Sequence, residues 1–249
     1  MLHKRAVLAS VPTLLLFLLL MIGVAFAQNT PKTTHLPLIT RATSSTPSIP
    51  TPLPLRTGEA TYYDGANGTG NCSFPASPQD LMIGAMNHVD YAGSAICGAF
   101  VELTGPKGTI TIRIVDQCPG CAAGDIDLSP EAFARIAELS QGRVPISWQI
   151  VSPAISSPIR YFFKEGSSQW WTAIQIRNHR NPIAKLEYQN ASGQFIALPR
   201  ADYNFFIAEH GLGPGPYTLR VTDWYGNTLL DHSLPLRVGA EVAGSAQFP

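Results

Sequence analysis

From Gly58 onward the apolar residues come in short runs, each cut off by Gly, Pro or Asn, and this spacing confines the chain to mainly β structure. Residues 109–115 alternate Thr and Arg with Ile and Val, the period of a strand with one buried face. Ala60-Thr61-Tyr62-Tyr63 and Phe100-Val101-Glu102-Leu103 are runs of the same kind, and Gly105-Pro106-Lys107-Gly108 predicts a hairpin turn into residue 109. A single helix is predicted after Ser129, which caps it. Pro130 takes its first position, and Phe133, Ile136 and Ala137 make one apolar face. Residues 145–151, with Trp148 central, close this region as a further strand.

Beyond residue 155 no helical period is present. The segments 159–163, 172–177, 184–188, 217–222 and 228–230 read as strands separated by turns, the pattern of a β-sandwich. Only Ser152-Pro153-Ala154 joins the two regions, too short a link for a flexible tether, so two packed domains of fixed orientation are expected, 58–152 and 153–249.

The N-terminus reads as an export signal over residues 1–27. His3, Lys4 and Arg5 precede an apolar stretch from 11 to 24, and Ala25-Phe26-Ala27 supplies small residues for cleavage. An uncleaved anchor is the alternative, and both readings place the remainder outside the cell. Residues 28–57, rich in Thr, Pro and Ser, are expected to be an extended tether. Lys and Arg total 17 and so do Asp and Glu, so the chain lacks the basic excess of a nucleic-acid binder. After cleavage, a secreted monomer without membrane association is expected.

All four cysteines, Cys72, Cys97, Cys118 and Cys121, fall within 50 residues of one another. An even count in an exported chain favours disulfides, with three pairings open. Zinc is disfavoured because Cys72 and Cys97 lack the paired spacing of a ribbon. A redox site would need its CxxC to open a helix, whereas Cys118-Pro119-Gly120-Cys121 runs into Ala-Ala-Gly-Asp, a loop. Structural disulfides are therefore expected, with no metal and no cofactor.

Two groups of residues carry chemistry. Thr61, Asp116 and Asp127 stand at strand ends, where carboxylates can hydrogen-bond sugar hydroxyls or protonate a glycosidic oxygen. Asp127 has a second reading, as a charge favoured beside a helix N-terminus. Trp170-Trp171 cannot both face the core of a regular strand, so at least one is exposed or the pair lies on a loop. With Tyr203 they offer planar rings for the apolar faces of sugars. The competing reading makes one ring core and the other a domain contact. Lys164 and Arg177 are candidates for added bonds to hydroxyls, while His179 and His210, without partners at metal spacing, read as surface residues.

At these residues the chain resembles microbial expansins. The matching stretches are Gly58-Glu59-Ala60-Thr61-Tyr62, Gly105-Pro106-Lys107-Gly108, Val115-Asp116 and Ile126-Asp127-Leu128-Ser129-Pro130-Glu131-Ala132-Phe133. Lys164-Glu165-Gly166-Ser167-Ser168-Gln169-Trp170-Trp171, Ala173-Ile174-Gln175-Ile176-Arg177-Asn178-His179 and Asp202-Tyr203-Asn204 continue the match in register. The resemblance implies a six-stranded double-psi β-barrel followed by an immunoglobulin-like β-sandwich of the family 63 carbohydrate-binding type. It implies non-hydrolytic loosening of cellulose and other wall polysaccharides, with xylan and peptidoglycan as further possible targets. Asp127 then corresponds to the essential barrel aspartate, Thr61 and Asp116 to its groove neighbours, and Trp170, Trp171 and Tyr203 to the cellulose-gripping strip.

Two departures stand out. One bacterial branch has a tyrosine two residues after the groove aspartate; here that position is Cys118, leaving Tyr62, Tyr63 or Tyr91 to supply an aromatic contact. The cysteines resemble the plant and fungal branches, which implies Cys72–Cys97 and leaves Cys118–Cys121. The rival reading is an inverting endoglucanase of the family 45 type, with Asp127 as acid and Asp64 as base roughly 6.5–9.5 Å away. Asp64-Gly65-Ala66-Asn67-Gly68 reads instead as a turn. A protease-inhibiting or defence barrel would not explain Trp170-Trp171, and a cellulose-type sandwich argues against a lytic transglycosylase.

Overall fold

Six strands close into a barrel in the computed structural model, which describes residues 54–64 and 66–249. They are β1 (Arg56–Tyr62), β2 (Ile83–Asn87), β3 (Phe100–Gly105), β4 (Gly108–Cys118), β5 (Ile126–Leu128) and β6 (Val144–Val151). The spatial order is β1-β5-β2-β4-β3-β6, with β1/β5 and β2/β4 parallel and the other pairs antiparallel. The alternation in β4 turns Ile112 and Ile114 inward against Val101, Leu103, Ile126 and Leu128, and all six are buried. The hairpin predicted at Gly105-Pro106-Lys107-Gly108 is present, with Gly105 opposite Gly108. The signal segment and most of the tether lie outside the described residues. β1 begins at Arg56, inside the stretch read as tether, and pairs there with Trp148.

The helix capped by Ser129 is α2 (Pro130–Ile136); Ser129 Oγ accepts from the Ala132 N–H at 3.0 Å. The expectation of a single helix is corrected by α1 (His88–Tyr91) and a 3₁₀ turn at Leu139–Gln141. Both are too short to show a helical period in sequence. Cys72–Cys97 is a fully buried bridge, and Cys118–Cys121 closes a loop at the end of β4. Among the described residues no helix is long and apolar enough to cross a membrane.

The remaining strands form two four-stranded sheets, with no helix among them. One has the order β10 (Phe195–Ala197), β9 (Ile183–Gln189), β12 (Tyr217–Asp223), β13 (Thr228–Leu234). The other runs β11 (Phe206–Ala208), β8 (Thr172–Arg177), β7 (Arg160–Phe163), β14 (Glu241–Ala243). Tyr161, Phe163, Ile174, Ile176 and Phe206 of the second sheet pack on Ile183, Leu186, Leu219 and Val221 of the first. Because side chains alternate along a strand, Phe162 and Ala173 then face away from this core, where Phe205 joins them. That outward apolar face is what positions the aromatic site.

Candidate functional site

Parallel pairing of β1 with β5 sets Thr61 opposite Asp127, and the threonine hydroxyl donates to Asp127 Oδ1 at 2.5 Å. Burial raises the Asp127 pKa; the Thr61 bond and then the charge of Arg143 oppose this, and Asp116 adds to it. Asp116 has its Oδ1 occupied by two backbone donors, Asn71 N at 2.6 Å and Gln117 N at 2.8 Å. Asp64 is exposed in the turn after β1.

Three tyrosines compete for the aromatic place left by Cys118. Tyr62 packs on Phe133 with ring centroids 5.0 Å apart, and Tyr91 is buried. Tyr63 lies beside both aspartates. Its hydroxyl is buried with no hydrogen-bond partner among the described residues, and its pKa is pushed up to about 12, by burial first and then by Asp116 and Asp127. Of the three, Tyr63 is the ring whose hydroxyl feels the charge of both Asp116 and Asp127.

In the second group Trp170 and Trp171 lie just before β8, and Trp171 and Tyr203 pack on the outward face of its sheet. Ser168 organises the turn, its Oγ accepting from the Trp170 N–H at 3.2 Å and the Trp171 N–H at 3.3 Å. This frees the pair from strand alternation. Trp170 is 73% exposed, the most exposed large apolar residue described. Trp171 is half-buried, its Nε1 donating to Glu209 Oε2 at 3.2 Å. Trp171 and Tyr203 both pack on the Phe162, Ala173 and Phe205 cluster, with Tyr203 and Phe205 ring centroids 5.9 Å apart. Lys164 Nζ lies 5.9 Å from the Phe205 ring centroid.

Arg177 is tied partly within the protein: its guanidinium lies 3.7 Å from the Phe162 ring centroid and bonds Glu241 and Gln175 through Nη1 and Nε. One polar reading is corrected. His179 is buried, not a surface residue; its Nδ1 donates to Asn181 O at 2.8 Å, and burial drives its pKa down to about 3. His210 is exposed.

Sequence reasoning missed Asn71, Tyr91, Ser94, Gln175 and Asn204, which join the barrel to the sandwich. Tyr91 Oη donates to Asp202 O at 2.7 Å and Ser94 Oγ to Ala201 O at 2.8 Å. Gln175 Nε2 donates to Cys72 O at 2.8 Å, and Asn204 Nδ2 to the same oxygen at 3.2 Å. The sequence signal was the position of Gln175 between Ile174 and Ile176, in a strand where all of Thr172 to Ile176 is buried.

Residues 56–148 match a family described as lytic transglycolase. Expansin-YoaJ of Bacillus subtilis is 38% identical over 204 residues, covering 78% of this chain and 87% of that protein. Expansin-like protein 2 of Dictyostelium discoideum is 31% identical over 201 residues, 76% of this chain and 49% of the relative. Among solved structures, a mutant Clavibacter michiganensis expansin in complex with cellohexaose superposes with a TM-score of 0.73 at 37% identity, covering 78% of this chain and 98% of that one.

Proposed function

We propose, for a chain that belongs to the expansin family, that it is an exported monomer that binds cellulose through the sandwich and loosens wall polysaccharide without hydrolysis through the barrel groove. The observation that carries the reading is the outward sheet face, where Trp171 and Tyr203 pack over a Phe162–Phe205 base and the neighbouring Trp170 stands exposed. Exposed and half-exposed flat rings suit the flat apolar surface of a glucan sheet, and the solved relative holding cellohexaose is consistent with this ligand class. In the groove, Asp127 bonded to Thr61 is the group assigned to loosening, with Tyr63 beside it. Asp116 is spoken for by two backbone N–H groups, which weakens it as a second reacting carboxylate.

One observation favours the hydrolytic alternative: the raised pKa of Asp127 suits a general acid. That mechanism also needs a base, and Asp64 in its exposed turn is the candidate. A single assay on crystalline cellulose and paper separates the two readings. Asp127→Ala is expected to abolish mechanical weakening and leave pull-down on cellulose unchanged, with no soluble sugar from wild type at any time. Release of cello-oligosaccharides by wild type that stops on Asp64→Ala would establish the glucanase instead.

A further inference from the structure

Barrel residues 71 and 72 grip the two residues that flank Tyr203. Asn71 is bonded on both sides of the seam: its backbone N–H donates to Asp116 Oδ1, and its Nδ2 donates to Asp202 O and Tyr91 Oη, both at 2.9 Å. Tyr91 Oη in turn donates to the same Asp202 carbonyl. The next carbonyl, Cys72 O, takes the side chains of Gln175 and Asn204, both of them buried. Tyr203 sits between Asp202 and Asn204, in a turn closed by Asn204 N donating to Ala201 O at 3.0 Å. The ring is therefore held from both neighbours by a different domain from the one that carries it. Gly70 makes the approach feasible, because a Cβ there would run into the Asp116 side chain.

We propose that Asn71 is a positioning residue that registers the aromatic face of the sandwich to the barrel groove. Asp116 fixes its backbone, its amide fixes Asp202, and the Thr61–Asp127 pair and Tyr203 then meet one polysaccharide chain as a single rigid surface. The functional half of this inference rests on the loosening activity proposed above, and the geometric half does not. Displacing a chain from its neighbours requires that two contacts on it keep a fixed separation; if they slide, each binds and neither pulls. Removing the Asn71 amide leaves the Tyr91 bond to Asp202 and both bonds to Cys72 O, so the fold survives while this edge of the seam loosens.

The test uses the full chain with Asn71→Ala and the isosteric Asn71→Asp, which keeps the shape and removes the donors. Spin labels at the exposed Ser140 of the barrel and Ser192 of the sandwich report the distance between domains. Cellulose pull-down is expected to stay within about twofold of wild type. Mechanical creep is expected to fall about tenfold, and the label distance distribution to broaden, in both variants with unchanged circular dichroism. A distribution as narrow as wild type overturns the proposal, as does wild-type creep from a broadened one. Loss of pull-down in parallel with creep overturns it too, since Asn71 would then support the strip itself. If wild type shows no creep, the loosening activity fails on its own, and the distance distribution still decides the role of Asn71.

Discussion

Thr61 and Asp127, 66 residues apart in sequence, are register partners on parallel strands and share a 2.5 Å hydrogen bond. Only the crossed β1/β5 pairing of this barrel brings them together. The bond holds a half-buried carboxyl group whose proton affinity is raised, chiefly by burial.

A carboxyl with its folded pKa above the ordinary 3.8 binds its proton more tightly folded than unfolded. Its favourable contribution is fully present below that ordinary value and is lost as pH rises through the folded one. Asp127→Asn removes the dependence. Urea melts should therefore show the variant gaining on wild type as pH rises from about 4 to 7; a gain that shrinks over that interval would contradict the raised affinity.

The two tryptophans should separate in their effect on stability. Trp170→Ala removes a ring that is 73% exposed, so unfolding free energy should change by no more than about 0.5 kcal/mol. Trp171→Ala removes the Glu209 bond and the packing on the Phe205 cluster, and should cost about 1–2 kcal/mol. Each should weaken cellulose pull-down about tenfold. Equal stability losses with unchanged binding would return both rings to the core.

The two disulfides should also be unequal. Cys72–Cys97 spans 25 residues and is fully buried, so Cys72→Ser with Cys97→Ser should lower stability by roughly 3 kcal/mol. Cys118–Cys121 spans three residues beside the exposed Pro119 and Gly120, so it constrains the unfolded chain less and is open to a dithiol. Under mild reduction, alkylation mapped by mass spectrometry should label Cys118 and Cys121 first. Simultaneous labelling of all four would show that the inner bridge is not protected.

Buried His179 should stay neutral through the physiological range. Its folded pKa, lowered to about 3, means that the unfolded chain takes up a proton that the folded chain refuses. Stability linked to this residue is present above the ordinary 6.5 and is lost as pH falls toward 3. Imidazole resonances followed by NMR between about pH 5 and 8 should show His179 flat. A His179 midpoint near 6.5 would mean that the ring is solvated.

The sequence made some of these features legible and hid others for physical reasons. β4 and β8 announce themselves through branched residues, and α2 through its cap and apolar face. β2 does not, because Ile83-Gly84-Ala85-Met86-Asn87 is buried on every side, lacks alternation and has no strong β former beyond Ile83. β5, β10, β11 and β14 are three residues each, too short to repeat an alternation. In the site, side chains with distinctive chemistry stood out: Asp127, Trp170 and Trp171. The seam did not, because its acceptors are the backbone carbonyls of Cys72, Ala201 and Asp202, which leave no mark on residue identity. His179 was misread because exposure is a property of the packing around a residue.

The seam governs how the chain can be recombined. A sandwich excised after Ala154 and fused to a foreign enzyme would keep Trp170 and Trp171 on their own turn, since Ser168 that shapes it travels with them. Tyr203 would travel without its clamps: Gln175, Asn204, Ala201 and Asp202 would all lose their barrel partners, and Trp224 would lose the barrel residues it packs on. Such a cassette carries a two-ring grip with a loosely tethered third. A fusion meant to reproduce the full strip must transplant the 71–72 ledge as well, or rebuild its carbonyl and amide on the new host.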